Sequence, residues 1–244
     1  MQGLSQKLTA ELIGTFALTF IGAAAILLNT WTGGQPGLLG IALAHGLALS
    51  IAVSAAMNIS GGHINPAVTA TMFATGRIKA GPAIAYIVAQ CVGATIAGFL
   101  LAYIFDGLGG EGMAMTGHEA VAKCKLGTPN FSAALVSPGS ALLVEVILTF
   151  LLLFAVFGTA VDERAPRIGG FGIGLTVAFD ILAGGPITGA AMNPARTIGT
   201  LIGGGSATSA LWSQHGVYWF GPVLGGVIAG LVYDALILNR RAKA

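Results

Sequence analysis

The sequence predicts an all-α membrane protein with six transmembrane helices and two re-entrant half-helices, and three observations support this fold class. Hydrophobic residues make up 55% of the 244 residues and charged residues only 8%, whereas a soluble domain carries about 25% charged residues. Long apolar runs recur along the chain, and about 20 residues of such a helix cross a bilayer core. The tripeptide Asn-Pro-Ala occurs twice, each time before an apolar run that is too short to cross.

Six apolar runs are long enough to form transmembrane helices. In chain order they cover residues 9–29, 40–58, 82–105, 139–161, 169–185 and 216–238. The longest polar stretch, residues 106–138, is predicted to be a loop between the third and fourth helices. No cleavable leader is expected, because residues 1–10 are polar or mixed and the following run is long enough to span. The net charge of +2 is too small to indicate a nucleic-acid partner.

The two Asn-Pro-Ala tripeptides predict the starts of two half-helices, at residues 66–75 and 194–203. The residues concerned are Asn65, Pro66, Ala67, Asn193, Pro194 and Ala195. Asn is a favoured N-cap residue, and Pro suits the first position of a helix. About ten residues at about 1.5 Å each cover about 15 Å, which is half of the hydrocarbon thickness. Two half-helices that meet end to end therefore complete one further crossing.

The two halves of the chain resemble each other in sequence. The ten residues from Glu11 align with the ten from Glu145, and residues 60–67 align with residues 188–195. Each half contributes three transmembrane helices, so the repeats insert with opposite topology. Inverted repeats place a functional site at their interface near the membrane midplane. The whole chain, 1–244, is predicted to be one domain with repeats at about 1–105 and 139–238, connected by 106–138.

Charge bias predicts the orientation of the protein. The ends of the chain and two short linkers fall on one side of the membrane, which carries Lys7, Arg77, Lys79, Arg164, Arg167, Arg240, Arg241 and Lys243. The other side carries only Lys123 and Lys125, with Arg196 counted separately beside the second tripeptide. Cytoplasmic loops are enriched in Lys and Arg. Both termini are therefore predicted to be cytoplasmic, in a multi-pass protein of the cell membrane.

These motifs resemble those of the aquaporins of the major intrinsic protein family, over nearly the whole chain. The resemblance rests on both Asn-Pro-Ala motifs, the repeated Glu, the segments around Ser60–His63 and Asn193–Arg196, and the sequence from Tyr218 to Pro222. Within the family, the chain resembles the archaeal aquaporins. The resemblance implies an aquaporin-like inverted repeat, a homotetramer with one pore per subunit, passive conduction of water and small neutral solutes, and no cofactor.

The resemblance also implies a selectivity filter formed by His45, Ile181, Ala190 and Arg196. Arg196 is the only basic residue inside the predicted membrane zone, and a charge at that depth is functional by default. Strict water channels have Phe and His where this chain has His45 and Ile181, so a wider and less polar constriction is expected. The set resembles plant vacuolar-membrane aquaporins that also pass ammonia or urea. The alternatives are a packed His45, an Ile181 in the core and an Arg196 paired with a loop carbonyl.

Five further residues are assigned roles around the pore. Asn65 and Asn193 are expected to donate to a central water, while both half-helices direct their positive N-terminal ends at it and repel cations. The alternative is that both are only helix caps. The resemblance implies that Glu11 and Glu145 brace the re-entrant loops, with a proton relay as the rival interpretation. His63 lines the cytoplasmic half of the pore or stabilises its loop.

The sequence leaves four classes of function to compare. The preferred class is a passive channel for water and other small neutral solutes, and the first alternative is a coupled secondary transporter, which shares inverted repeats and midplane half-helices. A membrane enzyme is disfavoured, because the Asp, His and Cys residues show no spacing typical of a metal or nucleophile site. A junctional protein with a vestigial pore is disfavoured by the intact Asn-Pro-Ala pair and by Arg196.

Overall fold

A computed structural model describes residues 3–166 and 168–238 of the chain, and these residues form an all-helical protein. The helices are α1 Leu4–Trp31, α2 Gly37–Ser60, α3 Pro66–Ala74, α4 Ala80–Asp106, α5 Gly117–Cys124, α6 Pro138–Val156, α7 Phe171–Thr188, α8 Pro194–Gly203 and α9 Val217–Val232. Helices α6 and α9 continue into π-helical turns at Phe157–Val161 and Tyr233–Ile237. Six of these helices, all but α3, α5 and α8, are long and apolar enough to cross a membrane.

The six predicted transmembrane helices are confirmed, and their ends differ from the predicted ones by at most five residues when the π-helical turns are included. The stretch 106–138 differs from the prediction, because it contains α5 and a short 3-10 turn at Lys125–Gly127. Helix α5 begins with a capping box, in which Glu119 N donates to Thr116 Oγ1 at 3.2 Å and Thr116 N donates to Glu119 Oε2 at 2.8 Å. Its Ala120 is fully buried. This stretch therefore folds against the membrane helices.

The half-helices α3 and α8 begin where the tripeptides predict. Asn65 Oδ1 accepts a hydrogen bond from Ala67 N at 2.8 Å, and Asn193 Oδ1 accepts from Ala195 N at 3.0 Å. Pro66 and Pro194 occupy the first helical positions. Helix α3 ends at Ala74, one residue before the predicted end, and α8 ends at Gly203 as predicted. Each has about half the length that a crossing requires.

The long helices pack in equivalent groups in the two halves. Helix α1 packs against α2 and α4, and α6 packs against α7 and α9. Helices α2 and α7 join the halves across a close approach at Gly46 and Gly174. A Cβ atom on Gly46 would lie 2.6 Å from the carbonyl oxygen of Gly174, so only glycine permits this crossing.

The six crossings alternate in direction, which defines two faces. The face at which α1 begins is termed the inner face, and the π-helical turn after α9 reaches the same face. The opposite, outer face carries α5 and the rest of the stretch 106–138. Arg167, Arg240, Arg241 and Lys243, which contribute to the predicted charge bias, lie outside the described residues.

Candidate functional site

The two loops that precede α3 and α8 turn through the left-handed region of backbone space. Positive φ angles occur at Gly61, Gly62, Ile64, Gly189, Ala190 and Met192. Ile64, at φ 55°, is the least expected of these, because a β-branched side chain rarely adopts such a conformation. Strained residues of this kind cost about 1–3 kcal/mol each and persist only where surrounding contacts hold them. The loops are therefore held by bonds from other parts of the chain.

Glu11 of α1 holds the first loop. Its carboxylate is fully buried and accepts from Ser60 Oγ at 2.6 Å, His63 N at 2.9 Å, Ile64 N at 2.6 Å and Gln90 Nε2 at 2.7 Å. Four donors compensate a buried charge that would otherwise be very costly. Gln90 was not assigned a role from the sequence. The signal that could have identified it is a polar amide within an apolar transmembrane helix.

Glu145 of α6 holds the second loop in the same way, with one donor fewer. Its carboxylate accepts from Thr188 Oγ1 at 2.7 Å, Ala191 N at 3.0 Å and Met192 N at 2.8 Å. Both carboxylates therefore lie where the bracing interpretation places them, each against the loop of its own half. The groups that they meet are hydrogen-bond donors of the loops.

Two tyrosines add an equivalent contact to each loop. Tyr86 Oη donates to the carbonyl oxygen of Ser60 at 2.9 Å, and Tyr218 Oη donates to that of Thr188 at 2.8 Å. Ser60 and Thr188 thus bond a glutamate through their hydroxyls and a tyrosine through their carbonyls. These paired bonds keep the non-helical backbone satisfied at membrane depth, where water is scarce.

Asn65 and Asn193 lie where the N-termini of α3 and α8 meet. Asn65 Nδ2 donates to the carbonyl oxygen of Met192 at 2.8 Å, and Asn193 Nδ2 donates to that of Ile64 at 2.9 Å. An amide carries two hydrogens, so each side chain keeps one for a passing molecule. The expected donation to a central water is compatible with this geometry, but only through that second hydrogen.

A cavity of about 240 Å³ runs past both asparagines and is termed the pore. His63 lies on the inner side of the asparagines, next to the loop glycines, and all four predicted filter residues contact the same cavity. The rest of its wall is apolar and comes from helices of both halves, including Leu49, Val53, Val68, Leu152, Val156, Ile173 and Val177. The structure therefore brings both asparagines, His63 and the four predicted filter residues to one passage. The other predicted residues are not among those that line it: Glu11, Glu145, Pro66, Ala67, Pro194 and Ala195.

His63 combines the two roles that the sequence left open. Its ring contacts the pore, and its Nδ1 lies 3.1 Å from Thr69 Oγ1. The ring also packs edge-on against Tyr86, with centroids 5.2 Å apart. The side chain is therefore fixed in place while one side of it meets the pore.

The predicted filter residues His45, Ile181, Ala190 and Arg196 lie together and are all buried. Arg196 Nη2 lies 3.0 Å from His45 Nε2. Arginine can only donate, so Nε2 is the acceptor in this bond. His45 Nδ1 then carries the hydrogen and donates to the carbonyl oxygen of Ile41 at 2.8 Å. These two bonds define a neutral His45 with one tautomer.

Two further donors of Arg196 have no partner in the part of the chain that the structure describes. Among the residues that the structure describes, Arg196 Nε and Nη1 have no hydrogen-bond partner, although both atoms are buried. Within residues 3–166 and 168–238, the Arg196 side chain does not bond a loop carbonyl, which was the alternative interpretation. A buried donor without a partner is costly, so the fold holds Arg196 in the filter at an energetic cost.

A second cavity, of about 340 Å³, lies on the outer side of the filter and is termed the outer vestibule. It shares His45, Ile181 and Arg196 with the pore. Its outer wall includes Cys124, Gly127, Thr128, Pro129 and Asn130. From the sequence, the stretch 106–138 was expected only as a loop that could fold over the outer mouth, and its composition did not identify these wall residues. Only tertiary packing brings these residues to the pore.

Asp180 is a buried carboxyl that lies apart from both cavities. It precedes Ile181 on α7, is fully buried, and neither of its oxygens has a partner within the described ranges. The residues that line the pore and the outer vestibule do not include it. No group of three His, Cys, Asp or Glu residues that could hold a metal occurs in the described part of the chain.

Comparisons with known proteins identify the family of the chain. A family model described as major intrinsic protein matches residues 2–233. A Zea mays protein named aquaporin TIP4-4 is 41% identical, over 97% of this chain and 88% of its own length. An Arabidopsis thaliana protein named probable aquaporin TIP3-2 is also 41% identical, over 94% of this chain and 82% of its own.

A solved structure shares the fold. The aquaglyceroporin from Plasmodium falciparum matches with a TM-score of 0.81 over 99% of this chain and 100% of that chain, at 22% sequence identity. At that identity the likeness concerns the fold alone. The relatives named above are plant proteins, so the expected likeness to archaeal aquaporins stays a prediction. On the family match and these relatives, the chain belongs to the major intrinsic protein family, whose members are membrane channels for small molecules and not enzymes.

Proposed function

We propose that this channel conducts water and, through a wide filter, other small neutral solutes such as ammonia and urea. The observation that carries the proposal is the composition of the filter, in which one arginine and one histidine stand beside two aliphatic side chains. Arg196 and His45 line the passage together with Ile181 and Ala190. A small solute with a lone pair can accept from Arg196, while the aliphatic side chains leave room that an aromatic or imidazole ring would fill.

Positive charge at two depths of the pore favours the passage of neutral solutes over that of cations. Arg196 places a positive charge in the filter, and the N-terminal ends of α3 and α8 meet at the midpoint, where each carries a partial positive charge of about half an elementary charge. A cation would also have to leave its hydration shell in a passage with mostly apolar walls. Water and ammonia avoid both penalties.

Passive conduction is favoured over coupled transport by the way the loops are held. A secondary transporter rocks one repeat against the other around a central site. Here the repeats are tied at that site by the bonds of Asn65 to Met192 and Asn193 to Ile64. Rocking would break both bonds and pull apart the two loops that they join.

We further propose roles for the remaining site residues. Glu11 and Glu145 brace the pore loops and do not relay protons, since each accepts from two backbone N–H groups of its own loop. Asn65 and Asn193 orient the central water through their free amide hydrogens. His63 narrows the inner half of the pore.

The proposed assembly is a homotetramer with one pore per subunit. A groove of about 660 Å³ between α1 and α2 is floored by small residues: Ala10, Gly14, Ala17, Ala44, Ala48, Ala52 and Ala55. The corresponding helices of the other half, α6 and α7, expose large side chains, including Leu143, Ile147, Leu151, Phe171, Leu175 and Phe179. A ridge on one copy that fits a groove on the next is a heterologous contact, which closes into a ring. Chemical crosslinking in lipid vesicles should give a four-copy species, and a population of single copies would contradict it.

The proposed location is the cell membrane, with both termini in the cytoplasm. Lys7, Arg77, Lys79 and Arg164 lie toward the inner face, whereas the outer stretch contributes Lys123 and Lys125. This bias supports an inner face directed to the cytoplasm. We also propose that residues 1–244 act as one domain, with repeats at about 1–105 and 139–238.

The test is stopped-flow light scattering on vesicles that contain the purified chain, with ammonia and urea uptake measured in parallel at equal protein density. Water and solute fluxes well above those of empty vesicles would support the whole proposal. Fast water flux without solute flux would restrict the proposed conduction to water. It would also show that His45 and Arg196 close the filter to larger solutes despite Ile181. No flux of any kind would contradict it.

A further inference from the structure

We propose that Asp180 is a proton-binding site between α7 and α6, and that loss of its proton in alkaline solution loosens the second pore loop and lowers conduction. The loss of conduction rests on the proposed function, whereas the binding of the proton does not. Three features carry the inference: the carboxyl is buried without a partner, it lies against α6, and Glu145 of α6 holds the second loop.

Asp180 has no group beside it that could stabilise a negative charge. It is fully buried, and neither of its carboxyl oxygens has a hydrogen-bond partner within residues 3–166 and 168–238. Glu11 and Glu145 are buried to the same extent, but they accept from four and three donors. An isolated buried carboxylate is so costly that the group becomes neutral instead. A bound proton therefore accounts for a carboxyl that meets no donor.

Helix α7 directs Asp180 toward α6. Gly184 lies one turn later on the same face of α7, and a Cβ atom there would lie 2.5 Å from Leu148 Cδ1 and 3.5 Å from Val144 Cγ1. Both of these neighbours belong to α6. The residue after Asp180, Ile181, lines the pore. Helix α7 therefore connects the buried carboxyl on one side to the filter on the other.

The charges around α7 balance only when Asp180 is neutral. Helix α7 packs against α2 and α6, and each of the three carries one titratable residue: Asp180, His45 and Glu145. His45 is neutral, because its Nε2 accepts from Arg196, and Tyr218 of α9 reaches only the carboxyl end of α7. The negative charge of Glu145 and the positive charge of Arg196 act on each other. An ionised Asp180 would add a second negative charge close to Glu145.

Glu145 connects the proton site to the middle of the pore. Thr188, about two turns after Asp180 on α7, donates to Glu145 Oε1 at 2.7 Å, and Met192 N donates to Oε2 at 2.8 Å. A negative Asp180 would repel the Glu145 carboxylate in surroundings where charges act strongly, and so weaken these bonds. The carbonyl oxygen of Met192 accepts from Asn65. Ionisation therefore disturbs the point at which the half-helices meet, and conduction should fall.

Infrared spectroscopy tests the bound proton directly, because the carbonyl stretch of a protonated carboxyl is distinct from the bands of a carboxylate. The sample is the full chain in a detergent that has no carbonyl group. At neutral pH the unchanged chain should show a protonated-acid band that Asp180→Asn lacks and Asp106→Asn keeps. Asp106 is the matched control, because it is an aspartate whose side chain is exposed. The band should decrease as the pH rises and return when the pH is lowered.

Water flux in vesicles, with the same pH inside and outside, tests the link to conduction. Asparagine has the shape of a protonated aspartate and does not ionise, so Asp180→Asn should conduct like the unchanged chain at neutral pH. The unchanged chain and Asp106→Asn should lose about half of the channel-mediated flux at the pH at which half of the infrared band has gone, since flux follows the conducting fraction. Asp180→Asn should keep its flux at that pH.

The two measurements fail separately. A spectrum without a protonated-acid band that depends on Asp180 would overturn the proton site. Loss of the band with unchanged flux, or an equal loss of flux in Asp180→Asn, would overturn the link to conduction. If the unchanged chain passes no more water than empty vesicles at neutral pH, the proposed water channel fails, and the infrared band still decides whether Asp180 binds a proton.

Discussion

Asn65 and Asn193 each donate a hydrogen bond to the carbonyl oxygen of the residue that precedes the other, at 2.8 Å and 2.9 Å. The bonds are reciprocal, so neither half-helix can shift along its axis without breaking both. Each asparagine also caps its own half-helix through its oxygen. One side chain thus starts a helix with its oxygen and joins the two repeats with its nitrogen.

Asn193→Asp should separate these two functions of the side chain. The aspartate keeps an oxygen for the backbone of Ala195 but loses the donor to Ile64, a loss of about 0.5–1.5 kcal/mol of stability. Its negative charge lies at the positive ends of two helices, which weakens the barrier to cations. We expect increased proton or sodium leak with little loss of water flux, measured with a pH-sensitive dye in vesicles. Asn65→Asp is the matched variant, and unchanged cation exclusion in both would contradict the interpretation.

The sequence was sufficient to predict the half-helices but not the contacts that hold them. Asn-Pro at a helix start is a local signal, and the sequence therefore placed the starts of α3 and α8 correctly. The donation from Asn65 to Met192 joins residues 127 positions apart. Gln90 and Asn130 likewise reach the site only through tertiary packing, which no local pattern encodes. The filter positions came from family resemblance, since their register on α2 and α7 carries no motif.

Gly22→Ala should displace the His45 ring and so disturb the filter. A Cβ atom at Gly22 would lie 2.4 Å from His45 Cδ2 and Nε2, so the ring must move away from α1 and lose its bond to Arg196. Overpacking of this kind costs about 1–3 kcal/mol. We expect a lower Tm and an altered ratio of urea to water flux. Gly81→Ala is the control, because a Cβ atom there meets nothing within 4 Å, and equal effects in both variants would exclude the His45 explanation.

Ile181→Phe should narrow the filter on the side opposite the His45–Arg196 pair. The aromatic ring fills the part of the filter through which larger solutes are proposed to pass. Urea and ammonia uptake should therefore fall severalfold more than water flux. Leu182→Phe adds the same bulk on the exposed side of α7 and should leave both fluxes unchanged. An equal loss of water and solute flux in Ile181→Phe would indicate a blocked pore and no selective filter at this residue.

Glu11→Gln should destabilise the protein more than Glu145→Gln. Glu11 accepts from four donors and Glu145 from three, and an amide nitrogen in place of one oxygen cannot accept. Each buried donor left without a partner costs about 1–3 kcal/mol. The comparison requires thermal unfolding of both variants in the same detergent. If Glu145→Gln were the less stable variant, the donor count would not determine the strength of the brace.

Arg196→Lys and Arg196→Val should distinguish the charge of the filter from its hydrogen bonds. Lysine retains a positive charge but lacks the planar fork that donates to His45 with one nitrogen and leaves two others free. We therefore expect Arg196→Lys to exclude cations as the unchanged chain does, while the ratio of urea to water flux shifts. Valine removes both properties, so Arg196→Val should also admit larger or charged solutes, measured as sodium or glycerol uptake. Because the second variant lacks the charge and the first does not, a sodium leak of equal size in both would show that the charge does not exclude cations. Unchanged selectivity in both variants would place the filter elsewhere along the pore.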